Sequence, residues 1–148
     1  MSALKKPLTL VSLLLATTGL ILSAYLTYVH INPDALVCSG DGCSTVQLSS
    51  YSEMFGIPIA VFGLLLFLTL IALIVMREIR EDWAETISTL IVVILVAAVL
   101  YWAYLTYLEA YVIYAFCQWC VATSIVTIIL LAVEGSRWYK GYKNIGLE

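Results

Sequence analysis

Four stretches of the chain, 8–29, 58–76, 86–108 and 116–133, contain no Asp, Glu, Lys or Arg. A helix needs about 20 predominantly apolar residues to cross the hydrocarbon core of a bilayer, and each stretch is close to that length. Inside lipid every backbone N–H and C=O must be paired within the segment or with a neighbour, so such stretches fold as helices. The whole chain is 63% apolar and only 11% charged, whereas soluble domains carry about 25% charged residues. The expectation is an all-α membrane protein: a single integral-membrane domain over 1–148, built as a four-transmembrane-helix bundle. A long outer loop, 30–57, joins its first two helices. The first stretch reads as a retained helix. It is longer than a signal-peptide core, and no small-x-small cleavage site follows it.

Orientation follows from the basic residues. Lys5 and Lys6 precede the first helix, Arg77 and Arg80 follow the second, and Arg137, Lys140 and Lys143 follow the fourth; these are all 7 Lys and Arg residues. An even number of spans separates each group, so all fall on one face, which the positive-inside rule makes cytoplasmic. Both termini are then cytoplasmic and the 30–57 and 109–116 connections extracytoplasmic. The run Arg77, Glu78, Arg80, Glu81, Asp82 and Glu85 reads as a solvated cytoplasmic turn with charge pairs three and four apart. With no basic patch anywhere, nucleic acid is not an expected partner.

The four cysteines form two close pairs, Cys38/Cys43 and Cys117/Cys120, and this topology puts both pairs on the outer side. Two glycines inside Cys38-Ser-Gly-Asp-Gly-Cys43 let the backbone turn tightly enough for the sulfurs to meet. Cys117-Gln-Trp-Cys120 opens the fourth helix, where both sulfurs share one face. Unpaired N–H groups and the positive dipole end there favour a thiolate. A C-x-x-C with a lowered thiol pKa is the chemistry of disulfide exchange, which runs through a mixed disulfide. Two alternatives stand beside it: a pair of structural bridges, or a structural zinc held by four thiolates. In the loop, a short helix lying on the membrane surface is expected within 44–55, with Ser44 as its N-cap.

Further landmarks follow the first pair: Val46, Ser49, Tyr51, then Phe55-Gly56-Ile57-Pro58 and Gly63 in the second helix. With four cysteines in this order and the C-x-x-C at the mouth of the last helix, the chain resembles the vitamin K epoxide reductase family over nearly its whole length. The resemblance implies an active-site pair Cys117–Cys120, with Cys120 nearest a quinone. It implies a shuttle pair in which Cys43 exchanges with Cys117 and Cys38 with a partner protein. Ser49 would be a hydrogen-bonding group near the active site. Animal members bind the vitamin K headgroup with an asparagine and a tyrosine, where Ser52 and Ser124 stand here. The resemblance therefore implies the prokaryotic role: a multi-pass cell-membrane oxidoreductase that reoxidises a separate, extracytoplasmic thioredoxin-like partner at the expense of a membrane quinone. That role supports disulfide bond formation. Vitamin K quinone or epoxide reduction proper, and a non-catalytic disulfide-stapled membrane protein, are the alternatives.

A quinone of ubiquinone, menaquinone or vitamin K type needs an aromatic-lined cleft between helices. Tyr104, Tyr107 and Tyr111 recur at helical spacing toward the outer surface, Trp119 lies within the C-x-x-C, and Phe55 and Phe62 are nearby. These six are the candidate quinone contacts, set against the bland reading of an interfacial aromatic belt. No metal ligand set is expected. His30 and the acids Asp34, Asp41, Glu53 and Glu109 read as solvated charge at the outer surface. Gly19, Ser23, Gly63, Ala97 and Ala98 are expected at close helix contacts.

Overall fold

The computed structural model describes residues 2–146, with side chains from residue 6 onward. Four long helices dominate: α1 (Ser2–Ile31), α3 (Ile59–Ile79), α4 (Ala84–Leu108) and α5 (Gln118–Ile145). Each contains a segment long and apolar enough to span a membrane. The short α2 (Gly42–Gln47) and a two-stranded hairpin, β1 (Glu53–Met54) and β2 (Ile57–Pro58), lie in the α1–α3 connection. The four long helices form a closed ring in which α1 packs on α3, α3 on α4, α4 on α5 and α5 on α1. The expected four-helix membrane bundle is therefore the fold.

The ring closes because buried positions recur at spacings of three and four along each helix. They are Ser12, Ala16, Gly19, Ser23 and Leu26 on α1, and Gly63, Phe67, Leu70, Ile74 and Arg77 on α3. Ile87, Ile91, Leu95, Ala98 and Trp102 continue the pattern on α4, and Thr123, Thr127, Leu130 and Glu134 on α5. That period is the one that lets side chains of one helix seat between those of the next. The core is Phe67, Leu70, Ile74, Ile91, Leu95 and Leu130 around Ala16. Gly19 faces the Phe67 ring, which fills the space its Cβ would take, and Gly63 lies against Ser23. Ala97 stands on the exposed face of α4 instead. Large apolar residues such as Leu10, Leu14, Ile21, Leu65, Val93 and Leu100 cover the outside, the arrangement lipid requires.

Two expectations about charge and helix length need correction. Arg77 is not part of a solvated turn: it is buried in α3, and its guanidinium donates twice to the carboxylate of Glu134 on α5. Arg137 lies 3.8 Å from the same carboxylate and donates to Thr9 on α1. Because these charges satisfy one another, α5 continues past 133 to Ile145, beyond the point where hydropathy alone ends the span. In the loop, α2 begins at Gly42 rather than Ser44. The Ser44 and Thr45 hydroxyls both donate to the Asp41 carbonyl, at 2.8 Å.

Candidate functional site

All four cysteines gather at one end of the bundle. Cys38 and Cys43 are joined as a disulfide across a Cα–Cα distance of 6.2 Å, and Cys117 and Cys120 are free thiols. Cys43 and Cys117 are both 0% exposed and share one apolar cluster with Leu26 and Val46; Cys38 and Cys120 pack against its edge. The order in space is thus Cys38, Cys43, Cys117, Cys120, with the two ends partly accessible and the middle sealed.

Three contacts set that order. Gly42 passes so close to the strand leading into α5 that a Cβ on it would lie 2.5 Å from the Phe116 carbonyl oxygen. Only glycine permits this approach, and it brings the residues beside it, Cys43 and Cys117, together. The Val37 peptide is then gripped on both edges. Its N–H donates to the Tyr25 hydroxyl at 2.9 Å, and its carbonyl accepts from the Trp119 indole N–H at 2.8 Å. The Tyr25 and Trp119 rings themselves meet edge to face, 5.0 Å apart. Cys38 is held in place by its neighbour.

The approach to α5 is shaped by an unusual turn. After α4 the chain widens into a π-helical turn, Glu109–Ile113, and ends it at Tyr114 in the left-handed region (φ 55°). A β-carbon makes that region costly, and π turns are often found at functional sites. The turn directs Glu109 inward: the residue is 4% exposed, and its carboxylate accepts the Cys117 backbone N–H at 3.3 Å. Cys117 caps α5. Its thiol is lowered from an ordinary value of 9.0 to about 7, chiefly by a hydrogen bond with the Cys120 sulfur, against the opposing effects of burial and the Glu109 charge.

Cys120 opens onto a cleft between α1, α3, α4 and the loop, with an enclosed volume of about 50 Å³ and a side open to the outside. Leu26, Ala60, Trp102, Leu105, Leu108 and Ile113 make its walls apolar, and Ser49, Tyr51, Ser52 and Glu109 supply the few polar groups. An apolar slot with sparse polar atoms beside a reactive thiol fits a flat, lipid-soluble quinone. Ser49 lines this cleft, and its hydroxyl donates to the Val46 carbonyl at 2.7 Å.

The aromatic candidates fare differently. Tyr104, Tyr107 and Tyr111 do not reach the cleft. They lie on the exposed side of α4, with the Tyr107 and Tyr111 rings 5.1 Å apart. Their spacing is helical, but the inward face of α4 is the one carrying Ala98, Trp102 and Leu105. Phe55 is also elsewhere. It is 96% exposed at the tip of the β1–β2 hairpin, where Phe55 and Gly56 take φ values of 55° and 78°. Phe62 lines a second cleft between α3 and α4 that shares Ile59 and Trp102 with the first. Trp119 grips the loop rather than the cleft. His30 is tied to Glu53 at 3.1 Å, anchoring the hairpin to the end of α1. Trp102 and Glu109, which are not among the sequence candidates, line the cleft, and Tyr51, a landmark of the family pattern, lines it as well. Glu109 left a signal of its own, as an acid embedded in an otherwise apolar and aromatic stretch.

A four-helix membrane bundle with a disulfide at one end and a dithiol beside it is a membrane thiol–disulfide redox protein by fold and site. The profile of the vitamin K epoxide reductase family matches residues 10–134, and the chain belongs to that family. Membership makes it an oxidoreductase of a family whose thiol chemistry is linked to quinones.

Proposed function

We propose that this protein oxidises an extracytoplasmic thioredoxin-like dithiol protein and passes the electrons to a membrane quinone, with the cysteine end facing outward and both termini cytoplasmic. The observation that carries this reading is the graded access of the four sulfurs. Cys38 is partly exposed on the loop, Cys43 and Cys117 are sealed against each other, and Cys120 borders the cleft. A thiol carried on a protein can attack only at Cys38, whereas a small dithiol can also enter the cleft beside Cys120. The Cys43 thiolate released there attacks Cys117 of an oxidised Cys117–Cys120 pair, and Cys120 leaves as a thiolate beside the cleft. The partner's second thiol then attacks the mixed disulfide, so the partner leaves oxidised and Cys38 is freed. The Cys38 thiolate attacks Cys43, re-forms the loop disulfide and releases Cys117, which leaves the C-x-x-C reduced, the state described above. The acceptor, held against Trp102, Leu105 and Ala60, supplies the oxidising equivalents that restore Cys117–Cys120. Ser49 offers a hydroxyl within reach of its polar edge. The sidedness agrees with the distribution of Lys and Arg, all of which fall at the end away from the cysteines.

The deciding experiment follows reduction of a ubiquinone or menaquinone analogue by absorbance, with purified protein and dithiothreitol as donor. Turnover that disappears in Cys120→Ala supports the reading. Folded protein with four reducible cysteines and no turnover on any quinone would sink it.

A further inference from the structure

Two glutamates are buried in this bundle, and they are treated differently. Glu134, 1% exposed, is held by Arg77 and Arg137. Glu109, 4% exposed, has no Lys, Arg or His within ion-pair distance among the described residues; its carboxylate accepts the Cys117 N–H. A carboxyl buried at the mouth of the bundle without a countercharge is costly and marks a candidate functional group. The chain also spends backbone strain to put it there, through the π turn and the left-handed Tyr114 that closes it. The same carboxyl lines the cleft that Cys120 borders, so it sits between the reactive dithiol and the place an electron acceptor would occupy.

We propose that Glu109 is the proton carrier of the dithiol-to-acceptor step: its carboxylate takes the proton that Cys117 gives up and returns it to the reduced acceptor in the cleft. This rests on the thiol-oxidase reading above. Oxidation of the dithiol breaks two S–H bonds, forms the Cys117–Cys120 bond and moves two electrons and two protons to a quinone, which leaves as the quinol. Cys120 borders the cleft and can deliver its own proton directly. Cys117 is sealed from water, so its proton needs a route; Cys120, bonded to its sulfur, gives up its own proton in the same step, and Glu109 is the carboxyl hydrogen-bonded to the residue. The titratable groups facing Glu109 are Cys117 and Cys120 on α5 and Tyr51 from the loop. Leu26 on α1, Ala60 on α3, and Trp102 and Leu105 on α4 contribute none.

A purely structural role, anchoring the start of α5 through the Cys117 N–H, would be kept by glutamine, whose amide oxygen accepts the same hydrogen bond but cannot carry a proton. The test therefore compares full-length wild type, Glu109→Gln and Glu109→Asp in detergent with two readouts. The first is the thiolate fraction of Cys117, followed by ultraviolet absorbance in protein whose loop disulfide is intact and whose Cys117–Cys120 pair is reduced, which needs neither quinone nor a reagent that reaches the thiol. The second is single-turnover oxidation of the dithiol by a short-chain ubiquinone analogue. Glu109→Gln removes a charge beside the thiol, so the thiolate fraction at pH 6 rises about threefold. Acceptor-driven oxidation falls about 100-fold, the size of a lost general acid–base group, and Glu109→Asp recovers much of it. Opposite movements in the two readouts cannot come from a misfolded variant. Wild-type oxidation in Glu109→Gln, or a thiolate fraction that does not move, overturns the proposal. Wild-type protein that fails to reduce any quinone overturns the thiol-oxidase reading instead.

Discussion

Gly42 and the Phe116 carbonyl oxygen meet so closely that a methyl group on Gly42 would sit 2.5 Å from that oxygen. The opposing atom is backbone and cannot swing aside, so Gly42→Ala must push α2 away from the start of α5. Cys43 and Cys117 separate with it. A misplacement of about 1 Å at a reacting pair costs about 100-fold in rate. Gly42→Ala should slow transfer from a protein dithiol by about that factor while leaving direct reduction of Cys117–Cys120 by dithiothreitol near wild type. Equal loss with both donors would mean that the contact serves folding alone.

The two accessible cysteines are expected to separate by donor. Cys38→Ala should block electrons from a thioredoxin-like protein yet retain turnover driven by a small dithiol. Cys120→Ala should abolish quinone reduction with either donor. Stopped assays with both donors check this, and identical losses in the two variants would contradict the assigned order.

Cys117 titrates at about 7 instead of 9.0 because the Cys120 sulfur hydrogen-bonds to its thiolate. A lowered thiol pKa means that the reactive thiolate is present above pH 7 and lost below it. The thiolate absorbance of Cys117, in protein with the loop disulfide intact and the C-x-x-C reduced, should therefore rise about tenfold per pH unit well below 7 and level off above it. In Cys120→Ala the half-point should move upward. A wild-type half-point near 9.0 would refute the hydrogen bond as its cause.

The indole of Trp119 holds the Val37 carbonyl, and so holds Cys38, at 2.8 Å. Trp119→Phe keeps the ring contact with Tyr25 but loses the donor, and because Val37 is exposed its carbonyl turns to water, at a cost of about 0.5–1.5 kcal/mol. The loop disulfide should become easier to reduce and the exchange of loop amides faster, with little change in melting temperature of the bundle. Hydrogen exchange read by mass spectrometry distinguishes these.

At the opposite end, Arg77→Met alone or Glu134→Gln alone strips one partner from a buried ion pair, which typically costs about 3–5 kcal/mol. Combining the two substitutions should recover part of that loss, because Arg137, which also loses Glu134, keeps Glu78 and Thr9 as partners. Thermal unfolding in detergent measures both singles and the double variant; additive losses would show that the pair does not act as a unit.

The spans and both thiol pairs were legible in the sequence because hydropathy and cysteine spacing are local properties. Burial of individual polar residues is not local. Arg77 reads as a solvated turn from its charged neighbours, and only Glu134 on α5 (57 positions away) explains why it is inside. Helical spacing groups Tyr104, Tyr107 and Tyr111 on one face but cannot say which face meets α3 and α5. Phe55 belongs to a family landmark, yet a left-handed turn carries its ring outward. Glu109 reads as one more acid at the surface, because periodicity does not announce the π turn that rotates it inward. Cys38 and Cys43 are joined, and Ser49 is bonded to the Val46 carbonyl, through contacts only five and three positions long, which is why a local pattern carries them.

The sealed middle of the sulfur series, Cys43 and Cys117, has a consequence for traffic under the proposed relay. A wire that touched solvent along its length would be short-circuited by any passing reductant. Here the two central sulfurs are insulated by Leu26 and Val46, so the relay would be entered at one terminal and emptied at the other. Selectivity for a protein donor would then come from apolar insulation as much as from any recognition surface.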